Sequence, residues 1–142
     1  MQVKQLMSTN VIRVSPLDSI VHASHMLNKY NVGMLPVCSA DGTLRGVVTD
    51  RDIVTRCIGV ENSPQDTRVS EVMTRNVITA SPSDDVRAAS QLMASKQIRR
   101  LPVTENNKVV GVFSLADMAR SNTFDMEAAR ALCEISSNIH KL

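Results

Sequence analysis

The chain has 142 residues, and its 16 Lys and Arg against 14 Asp and Glu leave a formal charge of +2 at pH 7. A hydrophobic fraction of 43% and a charged fraction of 21% are near globular averages, and they predict one or two small folded domains. Nucleic-acid binding needs a strong positive field or aromatic side chains for stacking. With three aromatic residues and so small a basic excess, a nucleic-acid partner is not expected.

No stretch of the sequence is apolar for long enough to form a membrane helix. The longest apolar run has about five residues, from Val109 to Phe113. A bilayer span needs about 20 apolar residues, and the core of a signal peptide needs about 7 to 15. We therefore expect a cytoplasmic protein without membrane association.

The chain has three cysteines and three histidines. In a reducing cytoplasm the cysteines are expected to be small buried hydrophobes, and they form no Cys-x-x-Cys pair. The histidines complete no familiar spacing of metal ligands, so the sequence predicts no metal site. The residues concerned are Cys38, Cys57, Cys133, His22, His25 and His140.

Most of the chain is an internal duplication. At an offset of 66 residues, eight positions between Val3 and Asp18 recur between Val69 and Asp84. After a one-residue deletion the offset becomes 65, and each copy has about 55 residues. The blocks that recur further along are Leu35-Pro36-Val37 with Leu101-Pro102-Val103, and Gly46, Val47 and Asp52 with Gly111, Val112 and Asp117.

The first copy has the pattern β-α-β-β-α. A β-branched run, Val11 to Val14, leads through Ser-Pro into a segment whose apolar residues recur at spacings of three and four, as in a helix. We place Asp18 in the first turn of that helix, where a negative charge is favourable. The pattern then predicts strands Met34 to Cys38 and Leu44 to Thr49 around an Asp41-Gly42 turn, and a helix from Asp50.

The second copy repeats this order. A short strand, Val77 to Ala80, precedes a helix with Asp84 in its first turn. The predicted strands are Arg100 to Thr104 and Lys108 to Ser114 around an Asn106-Asn107 turn, and a helix begins at Leu115. Beyond Arg120 the first copy offers no counterpart, yet apolar residues recur at helical spacing. This amphipathic C-terminal helix is expected to pack, in cis or across a dimer.

The predicted fold class is therefore α+β. Residues 1–58 and 69–121 are the two repeats, the polar residues 59–68 link them, and residues 122–142 carry the C-terminal helix. One copy alone has too few strands for a stable core, so the two are expected to pack together.

The most informative repeated element is Gly-x-x-(Thr/Ser)-x-x-Asp, in which a strand leads into a helix. One interpretation is a capping box, with Thr49 or Ser114 at the N-cap and Asp52 or Asp117 three residues later. The other is a nucleoside phosphate site, because a helix N-terminus favours a phosphate and a carboxylate can accept both ribose hydroxyls. The preceding glycine leaves room for a ligand or another backbone to come close. The two interpretations are compatible.

This ordered set, present twice, resembles a pair of cystathionine β-synthase (CBS) domains, as in the small stand-alone two-CBS-domain proteins of bacteria and archaea. The resemblance covers Val3 to about Arg120. It implies a pseudo-twofold module with two clefts for adenosine-containing ligands such as AMP, ADP, ATP or S-adenosylmethionine, and a disc-like homodimer. It also implies ribose contacts from Asp52 and Asp117, and ribose-phosphate contacts from Thr49 and Ser114. Base pockets would be lined by Ile12, Met34 and Pro36, and by Ile78, Arg100 and Pro102.

The resemblance further implies that the two clefts differ. Arg99 and Arg100 precede Leu-Pro-Val in the second copy, where the first has Gly33 and Met34. In the regulatory subunit of AMP-activated protein kinase, a basic pair at this place reaches the phosphate of a nucleotide held by the other copy's Asp. The expected partners of Arg99 and Arg100 are thus Thr49 and Asp52, with Arg51 adding charge. The alternative is that these arginines are solvated surface charges.

Three function classes follow from the sequence. The favoured one is a non-enzymatic sensor that binds an adenosine compound, needs no obligatory cofactor and signals to an effector protein. The sequence shows no catalytic residues, because no nucleophile with a base and no metal cluster is visible. The alternatives are a structural or interaction homodimer with unoccupied clefts and, less favoured, a nucleotide-acting enzyme.

Overall fold

A computed structural model of the chain describes residues 1–121 and 124–137. Within these residues the fold is α+β, as predicted, with two separate two-stranded sheets and helices around them. The helices are α1 (Ile20–Tyr30), α2 (Asp50–Arg56), α3 (Val69–Val72), α4 (Val86–Lys96), α5 (Leu115–Arg120) and α6 (Asp125–Ser136). The strands are β1 (Met34–Cys38), β2 (Leu44–Thr49), β3 (Arg100–Glu105) and β4 (Lys108–Ser114), and two short 3₁₀ turns cover Val3–Gln5 and Ile58–Val60.

The long helix of each copy is stopped in the same way. Helix α1 ends at Asn31 and α4 at Gln97, and both residues are in the left-handed conformation, with φ of 52° and 57°. Their backbone N–H groups turn back to carbonyls of the last helical turn, at Asn28 and Ala94. A left-handed residue at this position ends a helix while still satisfying its carbonyls. The duplication therefore extends to the helix ends.

Asp18 and Asp84 lie before these helices, so their predicted place in the first helical turn is wrong. Helix α1 begins after Ser19, whose hydroxyl accepts a bond from the His22 N–H at 3.1 Å. The Asp18 carboxylate accepts the backbone N–H of Ser15 at 2.8 Å, and Asp84 accepts that of Ser81 at the same distance. Each carboxylate thus closes the Ser-Pro turn that precedes the helix.

The two hairpin turns have the geometry that their residues favour. Gly42 has a φ of +89°, and Asn106 and Asn107 have φ of 53° and 64°, a region that Gly and Asn tolerate best. In the first turn, a bond from the Ser39 hydroxyl and one from the Thr43 N–H hold the pKa of the Asp41 carboxyl well below its usual range.

The predicted first strand of each copy is a single bridge. Val14 pairs in parallel with Val37, and Ala80 pairs in the same way with Val103. Each bridge is made to the strand of its unit that carries Leu-Pro-Val, β1 or β3. The Val14 N–H donates to the Pro36 carbonyl and the Ala80 N–H to the Pro102 carbonyl, each at 3.0 Å. The segments that precede these bridges make no further ladder, so they are not strands.

The chain forms two compact units that do not coincide with the repeats. The first-repeat unit contains Val11–Val77 and Asn107–Val109, and the second-repeat unit contains Met1–Asn10, Ile78–Asn106 and Val110–Leu142. Each unit takes its opening segment from the other repeat. Val69 lies in the core of the first-repeat unit and donates to the Asp18 carbonyl at 2.8 Å. Val3 lies in the core of the second-repeat unit and donates to the Asp84 carbonyl at the same distance.

The predicted C-terminal segment 122–142 contains helix α6, and residues 122, 123 and 138–142 lie outside the described part of the chain. Helix α6 packs in cis on α4 and α5 of the second-repeat unit. Its apolar stripe enters the core of that unit through Ala128, Ala131 and Ile135, next to Phe124. The first-repeat unit has no matching helix.

Two of the three cysteines are buried as predicted, and the third is not. Burial raises the pKa of the Cys38 thiol, although Arg13 beside it works in the opposite direction. Cys57 is fully buried. Cys133 is exposed, because it lies on the outer face of α6, so its assignment to the core is wrong. No helix within the described residues is both long and apolar enough to cross a membrane.

Candidate functional site

The motif Thr49-x-x-Asp52 forms a capping box at the start of α2. The Asp52 N–H donates to the Thr49 hydroxyl at 3.0 Å, and the Asp52 carboxylate accepts the Thr49 N–H at 3.1 Å. The Asp52 side chain is only 12% exposed and lies 3.8 Å from the Arg56 guanidinium. The Thr74 hydroxyl donates to the same carboxylate at 3.5 Å. The structural interpretation of this motif is therefore confirmed.

The motif Ser114-x-x-Asp117 repeats this arrangement at the start of α5. The Asp117 N–H donates to the Ser114 hydroxyl at 3.2 Å, and the Asp117 carboxylate accepts the Ser114 N–H at 2.9 Å. The other Asp117 oxygen pairs closely with Arg120. Within residues 1–121 and 124–137, the Arg120 guanidinium donates to no backbone carbonyl, whereas the Arg56 guanidinium also donates to the carbonyl of Val72 at 3.1 Å.

The capping bonds leave acceptor positions on both carboxylates. An ionised carboxylate has about four acceptor positions on its two oxygens, and the capping bond uses one of them. On Asp52, the Thr74 hydroxyl donates at 3.5 Å to the oxygen that accepts the capping bond, and the other oxygen lies 3.8 Å from the Arg56 guanidinium, too far for a strong hydrogen bond. The second oxygen of Asp52 is therefore more open to a further donor than that of Asp117, which pairs closely with Arg120.

The motif glycines are required by the backbone. A Cβ atom built on Gly46 would lie 2.6 Å from the carbonyl oxygen of Thr74, and one on Gly111 would lie 2.9 Å from that of Ser8. Thr74 and Ser8 lie in the opening segments that each unit takes from the other repeat. Their carbonyls accept the N–H of the residue after each glycine, Val47 and Val112. Of the two reasons predicted for the glycine, close approach of another backbone is the one the structure shows.

Replacing Gly46 by Ala is expected to lower the free energy of unfolding by about 1 to 3 kcal/mol, the usual cost of overpacking a tight site. The added methyl group meets a backbone carbonyl that is fixed by two bridge hydrogen bonds, so it cannot be accommodated by a side-chain rotation. Urea denaturation followed by circular dichroism measures the change. Arg45→Ala, on the exposed neighbouring residue, should change stability by no more than about 0.5 kcal/mol. Equal stability of the two variants would contradict this explanation of the glycine.

The residues expected to line the base pockets are divided between the two units. In the first-repeat unit, Met34 pairs directly across from Thr49 in the hairpin, and Ile12 is half-buried. Pro36 is buried in the first-repeat unit, and Pro102 is buried in the second-repeat unit. Ile78 is half-buried in the second-repeat unit. The hairpin therefore places Met34 beside the capping box, and it leaves the prolines less accessible to a ligand.

The three arginines of the predicted phosphate site are exposed. Arg51 lies in the first turn of α2, and its backbone N–H donates to the Asp50 carboxylate at 2.8 Å. Arg99 and Arg100 lie at the start of β3, where the Arg99 carbonyl accepts the N–H of Leu115 at 3.1 Å. This bond brings the arginine pair next to Ser114 in its own unit.

A cavity of about 460 Å³ opens beside the arginine pair in the second-repeat unit. Its other walls come from the start of α5 and from α6, which supplies Ala128, Ala129 and Leu132. Sequence reasoning assigned the α6 stripe to packing alone, and so it missed this wall. The helical spacing of small residues beside the stripe was the only available signal. Within the described residues, no group of three or more His, Cys, Asp or Glu side chains is arranged to hold a metal ion.

Comparison with known proteins identifies the family. The CBS domain family model matches residues 3–59 and 69–122, one match for each repeat. The chain belongs to the CBS domain family. The CBS domain-containing protein YhcV of Bacillus subtilis is 42% identical over 139 residues, which are 97% of this chain and 98% of the relative. The two repeats of this chain are therefore a pair of CBS domains.

Solved structures of other proteins have a similar fold. The CBS domain pair of protein MJ0100, crystallised with 5′-methylthioadenosine and S-adenosyl-L-methionine, superposes with a TM-score of 0.77 at 29% identity, covering 88% of this chain and 98% of the other. Hypoxic Response Protein I, crystallised with two coordinated zinc ions, superposes with a TM-score of 0.79 at 26% identity, covering 84% of this chain and 98% of the other.

Proposed function

We propose that this CBS pair is a non-enzymatic regulatory module that binds an adenosine-containing ligand and signals its presence to a partner protein. The observation that carries the proposal is the similarity to the CBS pair of MJ0100, which was crystallised with two adenosine compounds. The present chain keeps a buried aspartate at the end of both repeated motifs. A carboxylate held in place by a capping box is preorganised to accept ribose hydroxyls, which lowers the entropy that binding costs.

The proposed roles of the residues follow their chemistry. Asp52 and Asp117 bind ribose hydroxyls, and Thr49 and Ser114 lie at the helix starts near the ribose-phosphate. Arg51, Arg99 and Arg100 supply charge for phosphate, which guanidinium groups bind in a bidentate manner. The base pockets of the proposal are Ile12, Met34 and Pro36 for one ligand, and Ile78, Arg100 and Pro102 for the other.

Calorimetric titration with AMP, ATP, S-adenosylmethionine and NAD tests the proposal. Saturable binding of at least one of these compounds is expected, and the strongest binder identifies the ligand class. The bound compound should also be recovered chemically unchanged after long incubation with the protein. Absence of binding by all four compounds would contradict the proposal, and turnover of a bound nucleotide would favour the enzyme alternative.

A second candidate function is a structural or interaction homodimer with unoccupied clefts. The observation that favours it is that both motif carboxylates already have partners within the chain, Asp52 through Thr49 and Thr74 and Asp117 through Ser114 and Arg120. Under this alternative the aspartates cap helices and bind nothing else. The same titration separates the two candidates.

We also propose that the protein is a homodimer without ligand. The first-repeat unit exposes three apolar side chains in and after α2, namely Val54, Ile58 and Val60, each more than half exposed. The corresponding helix α5 is covered by α6, and the first-repeat unit has no such cover. A second copy would bury these residues at little cost in polar contacts. Light scattering at micromolar concentration should report twice the chain mass of 15.5 kDa, and a value of one chain mass would refute the dimer.

A further inference from the structure

The cavity in the second-repeat unit has the size and walls of a small-molecule site. Its volume of about 460 Å³ lies within the range of about 300 to 1,000 Å³ that is usual for ligand pockets. Six of its nine lining residues are Ala or Leu, and the polar ones are two arginines and a serine. The six apolar residues are Leu115, Ala116, Ala119, Ala128, Ala129 and Leu132.

Small side chains on two helices create this space. Ala116 and Ala119 are exposed on α5, and Ala129 is exposed on the facing side of α6. A larger residue at any of these positions would fill the cavity without entering the core, because none of them belongs to the buried cluster of the unit. The α6 wall lies outside both repeats, so this cavity is a feature of the chain and not of the duplicated motif.

The charge at the mouth of the cavity is positive and unneutralised. Within the described part of the chain, neither Arg99 nor Arg100 has a carboxylate partner, although other arginines, such as Arg87 and Arg120, do. Among the residues that the structure describes, no acidic one lines the cavity. The nearby Asp117 is tied to Ser114 and Arg120 and does not line it either. The lining therefore offers no carboxylate for ribose hydroxyls, and it offers two guanidinium groups as donors for an anion.

We propose that this cavity binds a small amphiphilic anion, with its acidic group on Arg99 and Arg100 and its compact apolar body against the alanines of α5 and α6. The ligand class is an organic carboxylate or sulfonate with an aromatic or aliphatic body. Two guanidinium groups at the mouth attract and orient the anion. The apolar walls bind the body through its removal from water.

The test uses two fluorescent probes of similar shape, the anion 8-anilinonaphthalene-1-sulfonate and its uncharged relative N-phenyl-1-naphthylamine. We expect one site per chain for the anion. The double variant Arg99→Ala/Arg100→Ala should weaken binding of the anion by about tenfold, since charge-assisted bonds are lost at a partly exposed site. Binding of the uncharged probe should change by no more than about twofold, because it depends on apolar contact alone.

The second arm fills the cavity. Ala129→Phe should abolish binding of both probes, whereas Ala88→Phe, at an exposed position of α4 outside the cavity, should leave both unchanged. Arg130→Ala is the matched charge control, because Arg130 is exposed on α6 and does not line the cavity. Circular dichroism and the thermal midpoint confirm that each variant is folded. Equal binding of the anion by wild type and Ala129→Phe would overturn the inference, as would an equal loss in Arg130→Ala.

This inference and the proposed function fail separately. Arg99 and Arg100 are assigned both to the proposed adenosine site and to the cavity, so their variants do not distinguish the two. Asp52 is assigned only to the adenosine site, and Ala129 lines only the cavity. Loss of AMP binding in Asp52→Ala reports on the adenosine site. Loss of probe binding in Ala129→Phe reports on the cavity.

Discussion

Asp52→Ala is expected to weaken binding of an adenosine nucleotide by about 1.5 to 3 kcal/mol, the range for hydrogen bonds to a charged group. The substitution removes the carboxylate that accepts the two ribose hydroxyls in the proposed site. Because Asp52 is buried and fixed by the Thr49 N–H, water does not readily replace the lost acceptor. Calorimetric titration of AMP into wild type and variant measures the difference.

The same substitution also affects stability, so the measurement needs controls. Asp52 belongs to a capping box, and loss of a cap typically costs about 0.5 to 2 kcal/mol. The matched control is Asp50→Ala, which removes an exposed acid from the same first turn of α2 without touching the capping box. It should leave AMP affinity within about twofold. A folded Asp52→Ala protein with lower stability and unchanged AMP affinity would show that Asp52 is only a cap.

The duplication made the local structure predictable. Helices α1, α2, α4, α5 and α6, the hairpins and both capping boxes lie where period, turn residues and spacing place them, because these signals act within a few residues of one another. The short helix α3 was not predicted. The predicted Asp41-Gly42 and Asn106-Asn107 turns contain residues with positive φ. Asp18 and Asp84 were misplaced since Ser-Pro-x-Asp can either open a helix or close a turn, and here each carboxylate bonds the serine N–H.

The pairing of segments that are distant in the chain could not be predicted from the duplication. Nothing in the spacing of Val3 and Val69 indicates that each enters the core of the other repeat's unit. Gly46 and Gly111 are the sequence signal of this pairing, because the absence of a side chain leaves room for the segments that contain Thr74 and Ser8. A glycine in a strand shows that something approaches, while the identity of the approaching group depends on the tertiary fold.

In the candidate site, too, the local structure was predictable and the side-chain pairing was not. The sequence placed both aspartates at helix starts, and the structure confirms this. It did not reveal that Arg120 pairs closely with Asp117 while Arg56 is shared between Asp52 and backbone carbonyls. Arg120 lies three residues after Asp117 and Arg56 lies four residues after Asp52, and side-chain geometry decides how closely each arginine approaches its carboxylate. The two copies of one motif therefore offer carboxylates of different availability.

This difference adds to the asymmetry of charge between the copies. Arg99 and Arg100 occupy the positions of Gly33 and Met34, so only one of the two proposed ligands has a guanidinium pair for its phosphate. The proposal assigns that phosphate to the nucleotide whose ribose is bound by Asp52, which is also the less tightly paired carboxylate. Both effects favour the same ligand.

AMP is therefore expected to prefer the Asp52 site, where the arginine pair can bind its phosphate, and adenosine, which has no phosphate, should discriminate less between the two sites. The double variant Arg99→Ala/Arg100→Ala should weaken AMP by about 1 to 3 kcal/mol, the range for two charge-assisted bonds discounted for partial exposure. It should leave adenosine nearly unchanged, because ribose and base contacts remain. Titration of AMP and adenosine into this variant, Asp52→Ala and Asp117→Ala measures each contribution. The assignment is wrong if Asp117→Ala abolishes AMP binding while Asp52→Ala does not, or if AMP and adenosine lose equal affinity when the arginines are removed.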